Sequence, residues 1–211
     1  MTRTLITMLV VASVAGCNSS SESRSTSPSP ATATPSIQIE KTDELIATLK
    51  SQKTINDQLM VIYERYEPLL DRSDSLTGPD TNQDGIRDDV EAFIDALEVT
   101  EPVRNALKQD ARFTQENLYY DFSVPSDEAT DRALRIAKKN YKVLACKDYV
   151  GIPVRDITNT SRTITALTYN TKARTLAYLS YNRLLNGSGG TLLNSEAKYC
   201  EWEVGTNCAF N

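Results

Sequence analysis

The chain contains no histidine. That absence removes the Ser-His-Asp and Cys-His catalytic pairs and any His-ligated zinc. Basic residues are in deficit, with 23 Lys+Arg against 28 Asp+Glu and a formal charge of −5. Such a chain is poorly matched to a phosphate backbone, so no nucleic-acid partner is expected. Long hydrophobic runs are missing too. Beyond the first 16 residues, none is long enough to span a bilayer. No alternating stretch of five or more residues reads as a strand, and no internal repeat is visible. What is present suits a packed core: 40% hydrophobic and 24% charged residues. The 211 residues fit one domain, or one domain with tails.

Residues 1–4 carry a single charge, Arg3, and residues 5–15 form a mostly apolar run too short to cross a membrane as a helix. The run ends in Val14-Ala15-Gly16-Cys17. This resembles the bacterial lipobox, in which small residues let a peptidase approach the backbone before an acylated cysteine. The resemblance implies a lipoprotein signal over 1–16, lipidation at Cys17 and attachment to a membrane through that lipid. Residues 18–36 are rich in Ser, Thr, Pro and Ala and lack apolar periodicity, so 17–37 reads as the lipidated cysteine and a disordered tether. Position 18 is Asn rather than Asp. In Gram-negative lipoproteins an Asp there favours inner-membrane retention, so the resemblance implies the outer membrane.

Residues 38–211 read as an all-α bundle of four to six helices with an irregular C-terminal tail. Leu45, Leu49, Leu59, Tyr63, Tyr66 and Leu70 share a helical face, with a polar stretch at Lys53 to Asp57 that can divide it and Pro68 near its end. Val90, Phe93, Ile94 and Leu97 form an i, i+3, i+4, i+7 stripe. Thr100-Glu101-Pro102 is a helix-start signal, followed by Val103, Leu107, Ala111, Thr114 and Leu118. Pro125-Ser126-Asp127-Glu128 is another, leading to a stripe of Leu134, Ala137, Tyr141 and Leu144. A final long helix carries Ala166, Tyr169, Ala173, Leu176, Ser180 and Leu184 and stops at Asn186-Gly187.

One stretch carries chemistry. In residues 80–91, oxygen-bearing side chains occupy places 1, 3, 5, 9 and 12: Asp80, Asn82, Asp84, Asp88 and Glu91. Gly85 stands at place 6, where the chain must turn sharply, and Ile86 at place 7 can offer its carbonyl. Calcium takes roughly 6–8 oxygens, and this set provides about seven if Glu91 binds through both oxygens. The pattern resembles the calcium loop of EF-hands, dockerins and thrombospondin type 3 repeats. It departs from an EF-hand at Arg87, where an aliphatic residue usually pairs with a second loop, and at Gly78-Pro79, which argues against an entering helix. Asp84-Gly85-Ile86-Arg87-Asp88-Asp89, with a later Asn170-to-Tyr178 segment and Tyr181-Asn182, also resembles small bacterial exported proteins of no known activity. For Asn170, Arg174 and Tyr181 the plain expectation is helix packing and surface hydrogen bonding.

With Cys17 assigned to lipid, Cys146, Cys200 and Cys208 remain in an oxidising compartment. A bond from Cys146 to Cys200 or Cys208 would tie the tail to a core helix. A catalytic thiol is not expected without a histidine to activate it. Acid pairs such as Glu98 and Glu101 read as turn and first-turn residues. The expected function is therefore a lipid-anchored envelope protein with a structural calcium site, binding an envelope protein or glycan without catalysis. The alternative is a carboxylate-dependent hydrolase acting on envelope glycans. A third reading, a small-molecule carrier, would need a pocket between helices.

Overall fold

The computed structural model describes residues 37–202. Cys17, Cys208 and residues 1–16, read above as a signal, lie outside them. Among the described residues there are α-helices and short 3-10 turns and no strands: α1 (Asp43–Lys50), α2 (Ile55–Tyr66), α3 (Asp88–Asp95), α4 (Glu101–Glu116), α5 (Asp127–Tyr149), α6 (Val154–Thr168) and α7 (Lys172–Leu184). The protein is all-α, with seven α-helices among the described residues rather than four to six. The first predicted helix is divided, as the polar stretch allows, at Ser51 to Lys53, and Pro68 leaves only a 3-10 turn, Glu67–Leu69, after α2. The surplus comes from the predicted final helix, which is two elements because α6 ends at Thr168 and Thr171 starts α7 by accepting from Arg174 N.

Most of α6 escapes a sequence reading because its β-branched threonines are poor helix formers. The fold recruits them: Thr160, Thr165 and Thr168 each donate to the carbonyl four residues back. Caps set other starts. Thr42, Thr54 and Ser126 accept backbone N–H groups at α1, α2 and α5, whereas the Thr100 hydroxyl makes no cap bond. A distant carboxylate reinforces α2. Asp156 of α6 accepts from Ile55 N at 2.8 Å and Asn56 N at 3.1 Å, placing a negative charge at the positive end of the helix dipole.

The main core joins Leu45, Leu49, Leu59 and Ile62 with Val90, Phe93, Ile94 and Leu97, closed by Leu107 of α4 and Ile164 and Leu167 of α6. Helix α4 is the hub, packing on α3, α5 and α6. A smaller cluster of Phe122, Ala133, Ile136 and Tyr181 sits between α5 and α7. Two predicted stripes are displaced. In α5 the buried positions are Ala133, Ile136, Val143, Ala145, Cys146 and Lys147, while Leu134, Ala137, Tyr141 and Leu144 are only half-buried. In α7, Arg174 and Tyr181 are buried and Leu176 is 53% exposed. Cys146 is bonded to Cys200, across 54 positions, which ties the tail to α5. The tail then lies on α4, where Gln109 donates to Tyr199 O and accepts from Glu201 N.

Candidate metal site

The segment between Leu70 and α3 has no entering helix, as Gly78-Pro79 predicts. Gly78 has φ +68°, and a Cβ there would fall 2.3 Å from Arg87 Cδ and 2.9 Å from Asp71 Oδ2. Only glycine fits so close a crossing. The neck of the loop is closed by Asp88 N donating to Pro79 O at 2.9 Å. Buried Gln115 of α4 holds both sides of it, accepting from Arg87 N at 3.0 Å and donating to Thr77 O at 3.3 Å. Ile86 is fully buried and anchors the loop in the main core.

Within the loop, place 1 reaches forward: Asp80 accepts from Gly85 N at 3.0 Å and Asp84 N at 3.2 Å. Asn82 Oδ1 at place 3 accepts from Asp84 N at 3.1 Å, and Asp84 Oδ1 at place 5 from Ile86 N at 2.9 Å. Gln83 at φ +58° and Gly85 at φ +87° complete the coil. The C-terminal half is the first turn of α3. Asp88 is turned onto Thr81, accepting from its N at 2.8 Å and its Oγ1 at 2.6 Å. Glu91 accepts from Asn82 Nδ2 at 3.1 Å and Lys108 Nζ at 2.9 Å, bringing places 3 and 12 together. The carboxylates do not converge on one point, and among the described residues no group of three acids or cysteines is close enough to hold a metal as placed.

The charge of the loop is met from α4. Lys108 spans Glu91 and Asp95, each at 2.9 Å, and Arg112 meets Asp84 Oδ2 at 3.3 Å. These two cations offset much of the repulsion among Asp80, Asp84, Asp88 and Glu91. Burial still pushes the Glu91 carboxyl up, against Lys108, and the charges of Asp84 and Asp95 add to that rise. Burial opposes the Lys108 ammonium, but its two carboxylate partners outweigh it and hold it above the usual range. Arg112 Nη1 also pairs with Glu201 at 2.9 Å, so one guanidinium joins the loop to the disulfide-tied tail. All the prospective ligands are oxygens, and places 1, 3 and 5 are held in consecutive turns by their own hydrogen bonds. The residue types fit a hard cation, but to hold one Asp88 would have to leave Thr81 and Glu91 would have to leave Asn82 or Lys108.

Arg87, at the place where an EF-hand meets its partner loop, has a different task. Fully buried, it pairs with Asp89 and donates to Leu167 O at 2.9 Å and Thr168 O at 3.1 Å, capping the C-terminus of α6. Asp89 in turn accepts from Asp71 N at 2.6 Å. Asp71 pairs with Arg174, which also donates to the carbonyls of Asp71, Ser75 and Leu76 and to Asn170 Oδ1. The two sequence segments of the weaker resemblance thus meet in one buried network. Arg174 is a core clasp on the strand of chain leading to the loop, not a surface residue. Its spacing of four and seven from Tyr178 and Tyr181 is the sequence signal that places it on their face.

Sequence reading also missed a buried ion pair. Lys147 of α5 meets Asp110 of α4, and Ser161 donates to the same Asp110 oxygen at 2.6 Å. The signal was a lysine four residues after buried Val143. Cavities near the loop and between α4 and α7 contain the carboxylates Glu116, Glu201 and Asp110. Each is held by a cation: Lys139, Arg112 and Lys147 respectively. Among known proteins, no family model, no curated protein and no solved structure matches the chain.

Proposed function

We propose that the protein is a lipid-anchored component of a bacterial cell envelope, its helical domain stabilised by calcium in loop 80–91, and that it works by binding rather than catalysis. The observation that carries the calcium reading is the set of bonds from place 1 to 6, 3 to 5 and 5 to 7, made by Asp80, Asn82 and Asp84. These bonds fix three oxygen side chains along one short turn of chain, the spacing a hard cation needs, and Gly85 supplies the sharp bend beside them. The half-buried Glu91 carboxyl, whose desolvation outweighs its pairing with Lys108, supports a further cation nearby. The N-terminal lipid reading rests on Val14-Ala15-Gly16-Cys17. No helix among the described residues is long and apolar enough to cross a membrane, which accords with a lipid as the attachment. Binding is favoured over glycan hydrolysis because the acids of the two cavities beside α4, Asp110, Glu116 and Glu201, are each engaged by a cation, whereas an acid–base pair needs one free to exchange protons.

Thermal unfolding of the mature chain tests the metal. Calcium at a hundredfold over its dissociation constant should add about 2.7 kcal/mol, and a chelator should remove it. Asp84→Ala and Glu91→Ala should each abolish that shift. Magnesium should do far less, because it demands a tighter octahedral shell. An unchanged midpoint, with no heat of binding by calorimetry, returns the loop to an acidic turn held by Lys108 and Arg112.

A further inference from the structure

A second feature lies away from the loop. Between α4, α5, α6 and α7 is a cavity of about 270 Å³. Small-molecule pockets run from roughly 300 to 1,000 Å³, so this one is of a size for a single small ring rather than a drug-sized ligand. Tyr169 and Tyr178 stack in its wall with centroids 4.6 Å apart, and Tyr181 lies beside them on α7. Amides come from three directions: Asn117 after α4, Asn140 on α5 and Asn182 on α7.

The hydrogen-bonding state of these groups is unusual. Tyr169 donates its hydroxyl proton to Thr114 O at 2.6 Å, so the Tyr169 oxygen can only accept from Asn117 Nδ2. Asn117 Nδ2 also faces Thr114 O at 3.2 Å. The orientation of the amide is thereby fixed, and Asn117 Oδ1, in a residue 2% exposed, is left with no partner among the described residues. A buried acceptor without a donor is costly, and Asn105 Oδ1, away from this cavity, is a second such atom. The exposed amide of Asn182, the half-buried amide of Asn140 and the hydroxyls of Tyr178 and Tyr181 make no hydrogen bond to the protein among the described residues, which leaves them open to water or a ligand. Among the described lining residues the one charged group is Asp110, which Lys147 neutralises, so none of them is a free cation awaiting a phosphate or carboxylate or a free anion awaiting an amine.

We propose that this cavity binds a neutral sugar ring, its hydroxyls held by the Asn140 and Asn182 amides at the rim and its C–H face against the tyrosine wall. The chemistry selects that class. Amides offer a donor and an acceptor side by side, which matches neighbouring hydroxyl groups. Tyrosines present an apolar body with a polar tip, which suits a ring that is apolar on its faces and polar at its rim. The inference goes beyond the calcium reading and stands without it, since none of the cavity groups belongs to loop 80–91.

The test is saturation-transfer NMR on the mature protein with glucose, galactose and N-acetylglucosamine, each with and without calcium, and with glucuronic acid as the charged control. At least one neutral sugar should show transfer concentrated on ring protons, and glucuronic acid should show much less. Methyl glycosides separate the sources: equal or stronger transfer identifies a glycan end, and loss identifies a free sugar. Asn140→Ala and Asn182→Ala break no bond within the protein, so they should leave unfolding unchanged while each weakens binding roughly tenfold. Tyr178→Ala should abolish it. No transfer from any neutral sugar, or transfer unaffected by Asn140→Ala and Asn182→Ala, overturns the proposal whatever calcium does to stability.

Discussion

Arg174 shows how much one side chain organises here. Its guanidinium is fully buried and donates to three backbone carbonyls, the Asp71 carboxylate and the Asn170 amide. Removing it takes the only cation from Asp71 among the described residues and the guanidinium donors from the Asp71, Ser75 and Leu76 carbonyls, so Arg174→Ala should cost about 3–5 kcal/mol in urea unfolding. Arg174→Lys should recover little, because one ammonium cannot meet five acceptors in a planar fork. Asp71 carries the complementary pH signal. Burial works against its charge, but hydrogen bonds from Arg174 and Ser73 outweigh it and hold the carboxyl below its ordinary range. A lowered folded pKa gives stability that is present above the unfolded value and lost as pH falls through the folded one. The loss therefore falls below about pH 4. Asp71→Asn should lower stability at neutral pH and flatten that acid limb, read from urea midpoints between neutrality and acid. A limb as steep as wild type would assign it to other carboxylates.

At the scale of elements, the C-terminal tail is held by three kinds of bond. Cys146–Cys200 is covalent, Gln109 pairs twice with the tail backbone, and Arg112 pairs with Glu201. Closing a loop of this length should stabilise by about 2–4 kcal/mol, mostly through the unfolded chain. The double variant Cys146→Ala with Cys200→Ala should lower stability by that amount. Peptide mapping without reduction should recover the 146–200 linkage, and a linkage of Cys146 to Cys208 instead would displace the tail from α4. The sequence reading left Cys200 and Cys208 open because chain entropy scarcely separates two partners eight positions apart. The pairing was decided by where Gln109 and Arg112 lay the tail.

For the whole molecule, the decisive question is address. If Val14-Ala15-Gly16-Cys17 is a lipobox, mass spectrometry of the mature protein should find an acylated N-terminal Cys17, and Cys17→Ser should release the protein from the membrane fraction. An unmodified N-terminus elsewhere would remove the anchor while leaving the helical domain and its loop as they are. The buried charges give the domain its other global property. Arg87, Lys147 and Arg174 are each fully buried, and each bridges segments far apart in the chain. Pairs of this kind add little net stability over apolar substitutes, but losing one partner is severe, so they constrain which helices can neighbour which.

The sequence by itself determined the helical class, the stripe Val90-Phe93-Ile94-Leu97, the bend at Gly78-Pro79 and the order of oxygens in 80–91. Each of these is local, written in periodicity, propensity or spacing along the chain. Only the tertiary structure decided the rest. The face that α5 buries is set by packing on α4 rather than by its leucines, and α6 is a helix because its threonines find carbonyls and its Asp156 finds the start of α2. Lys108 and Arg112 reach the loop only because α4 packs beside α3. Arg87 and Arg174 are legible as charged residues and become buried clasps only when the ends of α6 and α7 are brought to the loop. A charge is buried only where distant partners supply its hydrogen bonds, and linear spacing does not record which partners those are.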